Sequence, residues 1–335
     1  MTEPVLPVWA AAGPAAPAAP AAPAAPAGPA AVVPALQLDH VSRWYGNVVA
    51  VNDVSFALGP GVTGLLGPNG AGKSTLLHLM AGLLRPSAGQ VLVRGRSAWR
   101  QPAIYRDIGL VPEKEAVHPY LSGYEFALLN AQLQGVADPK AAAVRAIETV
   151  DLVAVAHRPT GTYSKGMRQR AKLAGALVHE PTVLLLDVPF NGMDPRQRLH
   201  MMELFRSMAA AGRTILFSSH ILEEVERLAD SILVVHAGRL AAAGDYRSIR
   251  RLMTDRPHTF MVRSSDDRRL AAALIADPAV FGAELIDDRL SVSTSDFAAF
   301  TRVLPRLAAA AGITLHEVAP TNDSLETVFS YLVRR

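Results

Sequence analysis

The run Gly67-Pro68-Asn69-Gly70-Ala71-Gly72-Lys73-Ser74-Thr75 combines glycines, a lysine and two hydroxyls in the spacing G-x-x-x-x-G-K-S. That spacing suits the binding of polyphosphate. Glycines let successive backbone N–H groups turn toward one anionic centre, and a helix starting beside the lysine adds the positive end of its dipole. Lys73 then carries a mobile positive charge to the β and γ phosphates of a nucleotide, and Ser74 faces a magnesium ion shared with them. Thr75 supports the α phosphate. The apolar run Gly61 to Leu66 in front reads as a strand and Leu76 to Leu84 behind as a helix, which is the context such a loop requires.

A second chemical group stands at Asp187, where the apolar run Thr182 to Leu186 ends in an acid. Parallel strands buried on both faces have this composition, and an acid at the carboxyl end of one can hold magnesium through water, opposite the phosphate loop. A strand followed by a solvated turn carboxylate is the plainer reading, and the presence of the phosphate loop weighs against it. His220 follows another strand-like run, Thr214 to Ser218; a helix over Ile221 to Ala229 and a strand over Ser231 to Val235 come next. Tyr45, ahead of the phosphate loop, is either an aromatic face for an adenine ring or an ordinary hairpin aromatic.

These residues need a framework. Order is expected from Leu36, with strands over Leu36 to Ser42 and Asn52 to Leu58 flanking Arg43 to Asn47. Ser87-Ala88-Gly89 reads as a turn, Gln90 to Val93 as a strand, and Ile108 to Val111 as a buried strand stopped by Pro112. From Glu113 the pattern turns helical. Ser122 and Glu125 form an S-x-x-E capping box opening a helix over Tyr124 to Gln134. A second helix spans Pro139 to Val150, and a third starts near Ser164, with Leu173, Ala176 and Leu177 on a 3.6-residue period. The pattern is a helical insertion between two halves of a sheet.

In this order the motifs resemble the nucleotide-binding subunit of an ATP-binding cassette (ABC) transporter, over about residues 36 to 250. The resemblance is carried by Tyr45, the loop Gly67 to Thr75, the strand-end Glu113, Tyr163-Ser164-Lys165-Gly166-Met167-Arg168-Gln169 as the signature segment, Val183 to Asp187, Asn191-Gly192-Met193-Asp194 and Ser219-His220. It implies an α/β fold, the P-loop ABC cassette, with a mixed sheet core over 35–255 and a helical subdomain at about 114–180. It implies ATP and Mg2+ as cofactors, held at the interface of a head-to-tail dimer. By the same resemblance Tyr45 and the phosphate loop hold the nucleotide, Ser74, Glu113 and Asp187 the metal, and His220 and Asp187 are catalytic. Ser164 and Gly166 would meet the ATP held by the other subunit, and Lys165 and Asp194 are also implied as nucleotide-binding.

The sequence departs from the family pattern at four positions. Lys165 stands for the usual glycine, Met167 for glutamine and Glu113 for glutamine, and Val188 replaces the glutamate that polarises the attacking water. Loss of a positioned general base typically costs about 10²- to 10⁴-fold in rate. Positioning and charge stabilisation carry much of phosphoryl transfer, so binding is expected to persist while hydrolysis slows. The expected assembly is therefore a heterodimer in which Ser164 and Gly166 complete the intact site of a second ABC subunit. A homodimer with two slow sites is the rival, and a degenerate regulatory nucleotide-binding subunit is the alternative function.

The resemblance also implies an integral membrane permease as partner and a place at the cytoplasmic face of the membrane, reached through that permease. The insertion around Glu113 to Phe126 and His157 to Thr162 would grip it. Tyr120, Leu121 and Tyr124 are then contact candidates, with core packing of the insertion as the equal alternative.

Composition sets the outer limits. The chain has 335 residues, no cysteine and a formal net charge of +3. Disulfides and cysteine metal sites are excluded, the length suits about two domains, and scattered Lys and Arg give no reason to expect nucleic acid as a partner. No unbroken apolar run is long enough for a membrane-spanning helix. Residues 1 to 34 repeat Ala-Ala-Pro, with Pro14, Pro17, Pro20, Pro23, Pro26 and Pro29 three apart, and read as an extended disordered tail rather than a signal peptide. Beyond residue 256, strands over Thr259 to Arg263, Ala283 to Ile286, Leu290 to Ser293 and Ile313 to Val318 alternate with helices over Asp267 to Ala276 and Phe297 to Ala310. A last helix is expected over Ser324 to Val333. The order predicts a small ferredoxin-like α+β domain over 256–335.

Overall fold

Long β-branched and apolar alternation produces the first hairpin. Strand β1 (Leu36–Tyr45) pairs antiparallel with β2 (Val48–Leu58), and Leu36, Leu38 and Val41 point into the core. The computed structural model describes residues 33–114, 117–245, 258–286, 289–294 and 296–320. On its other edge β1 pairs with β4 (Ala88–Val93), and β5 (Arg96–Ser97) closes a sheet of order β2-β1-β4-β5. Ala88 and Gly89 therefore belong to the strand and not to a turn. Gly89 sits at φ 73°, opposite a register shift in β1, and a Cβ there would lie 2.2 Å from the His40 carbonyl oxygen. The glycine that suggested a turn is the bulge of a strand.

The sheet that carries the chemistry has six strands in the order β10-β9-β3-β8-β7-β6. They are β3 (Gly61–Leu66), β6 (Ile108–Val111), β7 (Val183–Asp187), β8 (Thr214–Ser218), β9 (Ser231–His236) and β10 (Arg239–Gly244). Strands β9, β3, β8, β7 and β6 run parallel and β10 returns antiparallel, so the sheet is mixed. Every residue of β7 and β8 is buried. Leu184, Leu186, Ile215 and Phe217 enter one core, while Val183, Leu185 and Leu216 enter the other. The near-continuous apolar runs are thus explained by a sheet covered on both faces.

Helix α1 (Lys73–Met80) follows β3 and stops four residues short of the sequence expectation. The insertion between β6 and β7 holds α2 (Gly123–Leu133), α3 (Pro139–Thr149) and α4 (Lys165–Leu177). At α2 the capping box is complete: Ser122 Oγ accepts from the Glu125 N–H at 3.2 Å, and Glu125 Oε2 accepts from the Ser122 N–H at 2.8 Å. The Ser122 N–H and the Ser122 hydroxyl, which also donates to Oε2 at 2.9 Å, hold the Glu125 carboxyl below its usual range. Helix α5 (Pro195–Ala210) links β7 to β8, and α6 (Leu222–Leu228) links β8 to β9.

The C-terminal elements are β11 (His258–Ser264), α7 (Asp267–Ile275), β12 (Val280–Ile286), β13 (Arg289–Thr294), α8 (Phe297–Ala310) and β14 (Leu315–Pro320). They form an antiparallel sheet of order β12-β13-β11-β14 over its own core, which includes Phe260, Val262, Leu270, Phe300 and Leu304. The last strand begins two residues later than read from sequence. The helix expected over 324–333 and the Ala/Pro repeat up to residue 32 lie outside the described residues.

Candidate nucleotide site

Three neighbouring parallel strands, β3, β8 and β7, end side by side, with Leu65 opposite Ser218 and Ser218 opposite Asp187. The loops that leave their carboxyl ends must therefore converge, as ligand-binding loops of open parallel sheets do. The phosphate loop follows β3, Val188 follows β7, and Ser219-His220 follows β8. Helix α1 starts at Lys73 after Gly72, which adopts φ 102° and leaves no room for a Cβ, since one would lie 2.4 Å from the Ala50 carbonyl oxygen.

The convergence encloses a cavity of about 350 Å³ lined by Asn69, Gly70, Gly72, Lys73, Ser74 and Thr75 on one side and by Glu113, Asp187, Val188 and His220 on the other. Gly67, Pro68 and Ala71 complete the turn without lining the cavity; the Ala71 N–H donates to the Pro68 carbonyl at 3.2 Å. Lys73 Nζ donates to the carbonyls of Gly67 at 2.8 Å and Pro68 at 3.0 Å. Burial lowers its pKa from the usual lysine value, and the carboxylates of Asp187 and Glu113 oppose that shift. Asp187 is held from two sides: Ser74 Oγ donates to Oδ2 at 2.8 Å and Ser218 Oγ donates to Oδ1 at 2.5 Å. Ser218 Oγ also accepts from the Val188 N–H at 3.0 Å.

This donor set fits magnesium and a polyphosphate. A hydroxyl and two carboxylates are hard oxygen ligands, and an ion that keeps several waters and shares phosphate oxygens needs no more than one or two carboxylates from the protein. Lys73 and the backbone at the start of α1 supply the positive side for phosphate oxygens. When bound, the ion neutralises charge on the phosphates. Ser74 and Asp187 would hold it, Lys73 would match the phosphate charge, and His220 stands at the opposite wall of the cavity.

Other residues singled out in the sequence lie elsewhere. Tyr45 ends β1 at 44% exposure, outside the residues lining the cavity, with the Arg43 guanidinium 4.6 Å from its ring centre. The cavity wall on that side is instead the exposed Val48 and Val49 and the half-buried Ala50, apolar residues that carry no motif. Ser164 caps α4 by accepting from the Met167 N–H at 3.2 Å, and Asp194 caps α5 by accepting from the Gln197 N–H at 2.8 Å. Neither they nor Lys165 and Gly166 line the cavity. Gly166 packs on the Asn191–Asp194 segment, where a Cβ would lie 2.8 Å from the Gly192 carbonyl oxygen. Tyr120 is 91% exposed, whereas Tyr124 packs against the core of the insertion with its ring centre 5.4 Å from that of His157.

Several site residues went unread in the sequence. Ser218 is one, and its only signal is a hydroxyl following the apolar run Ile215 to Phe217. Arg198 and Glu224 are others: Glu224 pairs with Arg198 at 3.3 Å and accepts from Ser219 Oγ at 2.5 Å, bracing the turn that carries His220. The Ser219 hydroxyl in turn accepts from the Ile221 N–H at 3.0 Å.

The family model for ABC transporters matches residues 51–191. The chain is 34% identical over 304 residues to the daunorubicin resistance ATP-binding protein DrrA3 of Streptomyces coeruleorubidus, covering 89% of this chain and 95% of that one. The chain belongs to the ABC transporter ATP-binding proteins. Among solved structures, an ATP-binding subunit of an ABC transporter superposes with a TM-score of 0.60 at 30% identity, covering 64% of this chain and 92% of that chain. A dimeric bacterial ABC transporter cassette shares the fold at a TM-score of 0.59 and 22% identity, covering 63% of this chain and 98% of that chain. The ABC cassette thus accounts for the mixed sheet, the phosphate loop and the helical insertion. Among the described residues no helix is long and apolar enough to cross a membrane. ABC ATP-binding proteins pair with membrane permease subunits and dimerise.

Proposed function

We propose that this chain is the ATP-binding subunit of an ABC-type membrane exporter, binding Mg-ATP at the cavity above and coupling its binding and hydrolysis to a separate permease. One observation carries the reading. Lys73, the Ser74–Asp187 pair, Glu113 and His220 surround a single cavity at the ends of adjacent parallel strands. The resistance function named for the relative that aligns over nearly its full length favours an exporter.

In this reading Ser74, Asp187 and Glu113 hold the magnesium, Lys73 and the phosphate-loop backbone orient the β and γ phosphates, and His220 contacts the γ phosphate. Ser164, Lys165 and Gly166 stand away from the cavity of their own chain, so they are assigned to the ATP of the opposite subunit, with Asp194 at the same interface. Tyr45 is assigned to the adenine face. Val188 offers no carboxylate to polarise water, so hydrolysis at this chain's own site is slow. A second ABC subunit with an intact site is the favoured partner, and Tyr120 is the favoured permease contact. The protein then works at the cytoplasmic face of the membrane, and its substrate is chosen by the permease.

Titration of the purified chain with ATP in magnesium tests the reading, with Lys73→Ala as the control. Binding by the wild type and a loss of at least about 1.5–3 kcal/mol, the worth of hydrogen bonds to charged groups, are expected for the variant. Equal binding by both would contradict it.

A further inference from the structure

Helix α4 opens with Ser164 and turns three polar side chains into the protein, Gln169, Arg170 and Lys172; Arg170 is 6% exposed and donates to the Val150 and Asp151 carbonyls. Gln169 is 6% exposed and Lys172 5% exposed. Gln169 Nε2 donates to the Val188 carbonyl at 3.5 Å. Lys172 Nζ, one helical turn further on, donates to three consecutive carbonyls, those of Pro112 at 2.8 Å, Glu113 at 3.2 Å and Lys114 at 3.3 Å. These carbonyls follow the end of β6, at the point from which Glu113 enters the nucleotide cavity.

A lysine is an expensive choice for this position. Burying an ammonium away from water is strongly unfavourable unless hydrogen bonds replace its hydration. The buried residues of α4 include Ala171, Leu173, Ala174 and Leu177 beside Gln169 and Arg170, so an apolar side chain at 172 would suit most of its neighbours. The three donors of an ammonium match three acceptors converging on one point, and charge-assisted bonds of this kind hold a backbone more firmly than neutral ones. The loop that bears Glu113 is therefore fastened to the helix that begins with the signature segment.

We propose that Lys172 is a positioning residue for the magnesium–ATP site. Its ammonium fixes the backbone at Glu113, keeping that carboxylate beside Lys73 and Asp187, and links the site to the helix that starts at Ser164. This rests on the reading of the cavity as a Mg-ATP site. Glu113 acts on the metal and Lys172 acts only through Glu113, so the two must be energetically coupled.

The test is ATP affinity with magnesium and with EDTA, for the wild type, Lys172→Met, Lys172→Arg, Glu113→Ala and the Lys172→Met/Glu113→Ala double variant. Lys172→Met is expected to lose about fivefold of the magnesium-dependent gain in affinity, a coupling of ordinary size for neighbours, with binding in EDTA unchanged. Lys172→Arg keeps the charge but presents a planar fork in place of three converging donors, so it should recover part of the gain and bind better than Lys172→Met, and the double variant should bind no worse than Glu113→Ala alone. If Lys172→Met does not fold, Lys172→Gln, which retains two donors without the charge, takes its place with the same expectations. A magnesium-dependent gain equal to wild type, or losses that add in the double variant, would overturn the role of Lys172 while leaving the site reading intact. Failure of the wild type to bind ATP in either condition would overturn both.

Discussion

Val188 holds the least comfortable backbone in the site. Its φ of 47° lies in the left-handed region, where a side chain branched at Cβ is a true outlier, and conformations of this kind cost of order 1–3 kcal/mol. Its N–H and carbonyl are both tied, to Ser218 and to Gln169, which keeps the strained turn in place beside Asp187. Val188→Gly should relieve that strain; against it stands the roughly 0.5–1 kcal/mol of extra unfolded-chain entropy that glycine brings. The expected net is a gain of about 0–2.5 kcal/mol in denaturant unfolding, and a loss would show that the valine side chain contributes packing that outweighs its backbone. Glutamate is unbranched at Cβ, so Val188→Glu adds no strain to this turn, and any change in turnover it causes reports on its carboxylate. Such a conformation leaves no mark in the sequence: nothing in Leu186-Asp187-Val188-Pro189 distinguishes a strained turn from a relaxed one.

At the scale of elements, the contact between α4 and β6 is the one most open to a pH test. His179 follows α4 and its Nε2 lies 3.0 Å from the Ile108 carbonyl, an arrangement that makes Nε2–H the donor, and burial lowers its pKa from the ordinary 6.5. Because the unfolded chain binds the proton more readily, this contribution to stability is complete above about pH 6.5 and is lost as pH falls through the lowered value. Melting temperature should fall between about pH 7.5 and 5.5 in the wild type, and fall less in His179→Gln, which keeps a donor for Ile108 without titrating. Parallel profiles would place the sensitivity elsewhere.

Strands β3, β7 and β8 were legible in the sequence because a sheet covered on both faces demands unbroken apolar runs, and α2 was legible because its cap uses side chains. Helix α5 was not read, although Asp194 and Pro195 form a start signal and Met201, Met202, Phe205 and Met208 form its buried face. Its flexible methionines and interspersed arginines blur the period that marks a helix. The pairing of Lys73 with Asp187 was legible as a phosphate loop and an acid at the end of a buried apolar strand, whereas Glu113 and His220 were picked out only through the family resemblance. Ser218, Lys172 and the Arg198–Glu224 pair were not, because a buried polar group takes its meaning from partners far away in sequence.

For the whole molecule, the account is one of divided labour. The proposed division sets a cassette over 35–255 ahead of a ferredoxin-like unit over 256–335, whose separate core suits a stabilising task. In the proposed head-to-tail assembly this chain contributes its phosphate loop to one ATP and Ser164 and Gly166 to the other, so a defect at Val188 slows one site and spares the opposite one. The clamp at Lys172 lies between these two contributions, on the helix that serves the partner and against the loop that serves the chain itself.

The central claim is that the chain binds Mg-ATP at a site that turns over slowly for want of a carboxylate at position 188. Steady-state ATP turnover of the wild type beside Val188→Glu, with Mg-ATP binding measured on both, tests it most directly. The account predicts binding by both, wild-type turnover well below the ~1 s⁻¹ ordinary for enzymes, and a gain of at least about tenfold in Val188→Glu. A wild type that binds Mg-ATP and hydrolyses it at ~1 s⁻¹ or faster would contradict it, since another group would then be supplying the base.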